Sequence, residues 1–87
     1  MEDDIKQLRK KIDATDEQIL RLLSQRVKIC EAIGSAKRAE SLPVHDARRE
    51  EEVYSRIREK AAKLRLNPIQ VEAVYREIVN MCSSVQE

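Results

Sequence analysis

Apolar residues spaced three and four apart run through the first part of the chain: Ile5, Leu8, Ile12, Ile19, Leu22, Ile29 and Ile33, with Thr15 and Arg26 on the same line. Such spacing marks one face of an α-helix, so the stretch 5–33 is committed to a single long helix. Arg26 stands on that line where Leu or Ile is called for. An unpaired charge facing a helical core costs several kcal/mol and persists where something compensates it. If the compensation comes from outside the chain, it is an anion.

The chain has 87 residues and is read as one domain, 1–87. A domain this small buries a modest fraction of its surface, and two Tyr with no Phe or Trp make its core thinner still. Self-association is therefore expected. Basic and acidic residues number 17 and 16, for a net charge of +1, and the signs are interspersed. Neither a basic patch nor stacking aromatics mark a nucleic-acid binder. No apolar run reaches membrane-spanning length, and the N-terminus Met-Glu-Asp-Asp is acidic, unlike a signal peptide, so a cytoplasmic protein without a membrane partner is expected. Cys30 and Cys82 form no C-x-x-C and there is a single His, so no metal site is expected; both cysteines read as small apolar fillers.

The single Gly and two Pro carry much of the segmentation. The first helix is expected to start near Asp3 or Asp4, either a suitable N-cap, and to run to about Lys37 or Arg38. Gly34 lies inside it, which favours close packing against another element. Residues 39–45 read as a loop around Pro43. Asp46 is a good N-cap for a second helix, with Glu50, Glu51 and Glu52 near its positive end. That helix is expected to turn Val53, Ile57, Ala61 and Leu64 inward. Asn67-Pro68 pairs a cap with a first-turn proline and starts a third helix. Its inward face is expected to hold Val71, Val74 or Tyr75, Ile78, Cys82 and Val85. Glu17–Arg21, Glu52–Arg56, Glu59–Lys63 and Glu72–Arg76 fit exposed helix surface. No segment alternates with a period of two, so the fold is expected to be all-α, three helices with the first much the longest.

Polar residues interrupt the apolar faces of all three helices. Arg26 and Lys37 are eleven apart, which points them within about 20° of each other and ~16 Å apart along the axis. Glu50 precedes Val53 by three, and Gln86 follows Cys82 by four, so both fall on inward stripes. Lys37, Glu50 and Gln86 lie near helix ends, where such side chains also snorkel to solvent. Arg26 is too deep in its helix for that. Together these residues outline a positive cavity suited to a small molecule with carboxylates, which guanidinium groups bind through paired hydrogen bonds. Arg9 lies about 42 Å from Lys37 along a straight helix, so it can join such a site only from a second, antiparallel subunit. Alone, Arg9-Lys10-Lys11 is a solvated basic run. There is no evident nucleophile–base pair and no Gly-rich phosphate cradle. Any chemistry here depends on positioning and fixed charge.

Leu8-Arg9-Lys10-Lys11-Ile12-Asp13, Asp16, Leu22-Leu23-Ser24-Gln25-Arg26, Gly34-Ser35-Ala36-Lys37 and Pro43-Val44-His45-Asp46-Ala47-Arg48-Arg49-Glu50 follow one another in order. This set, through Gln86, resembles the small, dimeric, all-helical chorismate mutases. The resemblance implies an intertwined homodimer whose two sites are shared between subunits. It implies substrate contacts from Arg26 and Lys37 of one chain, from Asp46, Arg49 and Glu50 at the start of its second helix, from Gln86, and from Arg9 of the partner subunit. A small hydroxyl residue of the family falls on Cys82, where a thiol is a weaker donor. His45 sits at a variable loop position and reads as solvated.

The activity implied is the rearrangement of chorismate to prephenate, in aromatic amino acid biosynthesis, with no cofactor. Lys37, Gln86 and Glu50 would carry the catalytic contacts; Arg9, Arg26, Asp46, Arg49 and Cys82 would bind or brace. Two other functions remain open on this scaffold: an isochorismate pyruvate lyase, and a non-catalytic helical dimer that binds a carboxylate metabolite.

Overall fold

The computed structural model describes residues 2–87 and contains three helices: α1 (Glu2–Ala39), α2 (Ala47–Lys63) and α3 (Pro68–Gln86). At ~1.5 Å per residue, the 38 residues of α1 set the longest dimension of a 58 × 24 × 15 Å molecule. α3 packs against both α1 and α2, which among the described residues do not pack on each other.

The helix starts follow local chemistry. Asp46 accepts from the Arg49 N–H at 3.0 Å, capping α2. Asn67 accepts from the Ile69 and Gln70 N–H groups, with Pro68 in the first turn of α3. α1 is already helical at Glu2, so Asp3 and Asp4 lie in its first turns rather than capping it, where the helix dipole favours acids.

Two helix ends carry no glycine. Ser41 (φ 56) and Arg65 (φ 62) take the left-handed conformation. Leu42 N–H then returns to the Lys37 carbonyl at 2.8 Å and Leu66 N–H to the Ala61 carbonyl at 2.9 Å. These reverse turns close α1 and α2.

Val53, Tyr54 and Val79 form the centre of the core, with Ile57 packed on it. The inward faces differ from the expected ones at several positions. Leu64 is exposed because α2 ends at Lys63 and Leu64 is its C-cap. On α3, Val71, Tyr75, Ile78 and Cys82 are covered as expected, Tyr75 rather than Val74 filling its position; Val79 is buried as well and Val85 is exposed, because α3 is gripped from two sides and its covered stripe is wider than one face. Outside the core, Arg58 of α2 bonds Glu72 of α3 and lies 3.1 Å from Glu51; Arg76 also meets Glu72 at 3.1 Å and covers the Tyr54 ring at 4.4 Å. The Arg58 hydrogen bond, then that of Arg76, holds the Glu72 carboxyl below the usual carboxylate range. Glu17–Arg21 and Glu59–Lys63 pair as expected, whereas Glu52 pairs backward with Arg48 and Arg49 rather than with Arg56.

The apolar line of α1 is bare along its length: Ile5, Leu8, Ile12 (59% exposed), Ile19, Leu22 (63% exposed), Ile29 and Ile33 meet solvent in the single chain. Among the described residues no helix is long and apolar enough to cross a membrane.

Candidate active site

A cavity of about 310 Å³ opens where the second half of α1, the start of α2 and the end of α3 converge. Arg26 and Lys37 line it from α1, Asp46, Arg49 and Glu50 from α2 and its cap, and Cys82 and Gln86 from α3. Seven of the eight residues singled out in the sequence therefore share one cavity. Arg9 lies far along the exposed half of α1, away from the cavity of its own chain.

Arg26 is half-buried, and its guanidinium meets two thiols, which accept weakly and leave its charge unpaired by any carboxylate among the described residues. Its Nη1 donates to Cys82 Sγ at 2.6 Å and faces Cys30 Sγ at 3.9 Å. The cysteines are free and buried, as small fillers should be, yet both also line the cavity. Burial, reinforced by Cys82, pushes the Cys30 thiol up to about 11, so it stays protonated at neutral pH.

Lys37 is held by two acceptors. Its Nζ donates to the Val44 carbonyl at 2.6 Å and to Gln86 Oε1 at 3.1 Å. An ammonium has three N–H donors, so one remains. Gln86 is buried at 8% exposure, the one buried polar side chain among the described residues. Its Oε1 is committed to Lys37, which leaves the NH₂ to donate. Gly34 supports it from α1: a Cβ added there would stand 2.9 Å from Gln86 Cα. Close packing at this glycine is thus a physical requirement.

The α2 wall is less constrained. The Asp46 carboxylate is used as the helix cap. Arg49 reaches Glu52 at 3.5 Å on an exposed surface. Glu50 is half-buried in the first turn of α2. His45 is exposed, 3.6 Å from Glu87.

Three features have little or no sequence signal. The Val44 carbonyl is a backbone group. Ser83, which also lines the cavity, is masked by its neighbour Cys82. Arg38, which donates to the Gln86 carbonyl at 2.9 Å, reads as one more cation at a helix end.

The fold is an all-helical domain whose cavity is lined by three cationic side chains, Arg26, Lys37 and Arg49, and two carboxylates, Asp46 and Glu50. Residues 8–87 match the chorismate mutase type II family. The bifunctional chorismate mutase/prephenate dehydratase of Aquifex aeolicus is 39% identical over 98% of this chain, which spans 24% of that relative. The chorismate mutase of Methanocaldococcus jannaschii is 36% identical over 60% of this chain and 52% of its own length. The solved structure of a conserved hypothetical protein from Pyrococcus furiosus superposes with a TM-score of 0.75 at 34% identity, covering 95% of each chain. The chain belongs to the chorismate mutase type II family, whose fold is all-α.

Proposed function

We propose that this chain is an isomerase that rearranges chorismate to prephenate in aromatic amino acid biosynthesis, without a cofactor. The observation that carries this reading is the pairing of Arg26 and Lys37 on one cavity wall in a chain of this family. Chorismate has two carboxylates and an ether oxygen that gains negative charge as its C–O bond stretches. Arg26 and the partner subunit's Arg9 clamp the carboxylates and hold the folded, reactive conformer, so part of the barrier is met by orientation. Lys37, through its remaining N–H, and Gln86, through its NH₂, donate to the ether oxygen most strongly in the transition state. Glu50 accepts from the ring hydroxyl. Arg49 and Asp46 brace the start of α2, and Cys82 holds Arg26.

The site is proposed to be completed in an intertwined homodimer. The bare stripe from Ile5 to Leu22 supports this, because a second copy of α1 running antiparallel covers apolar surface and delivers Arg9 to the other cavity. A cytoplasmic setting belongs to the same proposal.

The test is loss of chorismate absorbance with wild type and Arg26→Ala side by side, and identification of the product. Prephenate from wild type and at least a hundredfold loss in the variant support the reading. Salicylate and pyruvate from isochorismate would replace it with the lyase, and binding of chorismate without turnover would replace it with a metabolite-binding dimer.

A further inference from the structure

Lys37 and Arg38 are neighbours on α1, and both close on Gln86. Lys37 takes the side-chain oxygen at 3.1 Å, while Arg38 Nη1 donates to the main-chain carbonyl at 2.9 Å. Arg38 is not on the cavity wall. Its other nitrogen, Nη2, donates to Ser35 Oγ at 3.2 Å, so the guanidinium is anchored at both ends.

The location gives this bond its importance. Gln86 is the last residue of α3, and the final carbonyls of a helix have no partner within it. There is no basic residue in the last turn of α3 to offset its dipole. Arg38 supplies from α1 both the donor and the positive charge. Gly34, one turn earlier, receives the Gln86 backbone at a distance no other residue permits. Three consecutive contacts therefore fix the residue: Gly34 beneath its Cα, Arg38 on its carbonyl, Lys37 on its amide.

We propose that Arg38 is a positioning residue for Gln86, holding the end of α3 so that the amide stays on Lys37 and its NH₂ stays aimed for donation. Its influence on turnover rests on the mutase reading above; its influence on Gln86 does not. Removing it frays the last turn and lets the amide rotate away, which costs transition-state contact while the carboxylate clamps remain.

The test uses the full chain and four variants: Arg38→Ala, Arg38→Lys, Ser35→Ala and Gln86→Ala. Arg38→Ala is expected to lower kcat about tenfold with KM within about twofold, as loss of orientation does. Arg38→Lys is expected to restore part of that loss. Ser35→Ala, which frees only the far end of the guanidinium, gives a smaller loss of the same kind. In a Gln86→Ala background, Arg38→Ala is expected to cost nothing further, because the two changes remove one function. By NMR, the Gln86 side-chain NH₂ signals are expected to move to the position of a solvated amide in Arg38→Ala. Unchanged NH₂ signals, or an equal loss of kcat with and without Gln86, would overturn the proposal. If the wild type does not turn over chorismate, the mutase reading falls and the NMR comparison alone decides the role of Arg38.

Discussion

Lys37 Nζ lies 3.1 Å from Gln86 Oε1, so an ammonium near the end of α1 and an amide at the end of α3 form one donor unit. Neither side chain is free to snorkel, although both lie near helix ends. The ammonium is also tied to Val44, which fastens the 40–46 loop over the same unit.

Removing that ammonium tests its electrostatic role. Lys37→Ala is expected to lower kcat by about a hundredfold or more, with a much smaller change in KM, because the charge acts mainly in the transition state. Steady-state kinetics on chorismate measure both. Turnover near that of wild type would remove Lys37 from the mechanism.

Shared sites predict complementation. Arg9→Ala and Arg26→Ala chains are each expected to be inactive as homodimers. Mixed under conditions that allow exchange, they are expected to regain about a quarter of wild-type activity, since half the dimers become hybrids with one intact site each. No recovery despite exchange seen by mass spectrometry argues against a site built from two chains.

Gly34→Ala sets two effects against each other. Alanine raises helix propensity by about 1 kcal/mol. Its methyl would also meet the Gln86 backbone at 2.9 Å, and overpacking of this kind costs about 1–3 kcal/mol. The clash is expected to win, giving a lower Tm and a lower kcat. A Tm above that of wild type would show that α1 and α3 can separate at no cost.

The carboxyl of Glu72 has a pKa in the folded chain below its ordinary value of 4.5. The folded state therefore binds the proton more weakly than the unfolded one. The contribution to stability is fully present above about 4.5 and is lost as the pH falls through the folded value. Glu72→Gln is expected to lose stability near neutral pH and to show a flatter acid limb in denaturant midpoints measured across pH. An acid limb identical to that of wild type would exclude Glu72 as its source.

What could be read from residues alone follows from how local each signal is. Asp46 and Asn67-Pro68 act within one turn, so their helix starts are legible. Arg26 is legible because a charge in a regular apolar line is a contradiction that any fold must resolve. The closures at Ser41 and Arg65 are not, since neither residue favours the left-handed conformation it adopts. The burial of Val79 beside Tyr75 and Ile78 is not legible either, because the covered face of α3 depends on two partners at once. Arg38 carries no distinguishing mark beside Lys37: only the direction of each side chain, about 100° apart around α1, separates one that enters the cavity from one that holds the helix opposite. The apolar line of α1 shows the converse: its periodicity is plain, yet in the single chain its members from Ile5 to Ile33 meet solvent.

Among the described residues, α3 is the only helix that packs against both of the others. On the mutase reading, chorismate held by Arg26 and Lys37 of α1, with Arg49 of α2 facing it and Glu50 accepting from its hydroxyl, would bridge α1 and α2 across the cavity that all four line. The bound molecule would then act as a strut between the two helices, and release of the product would take that strut away.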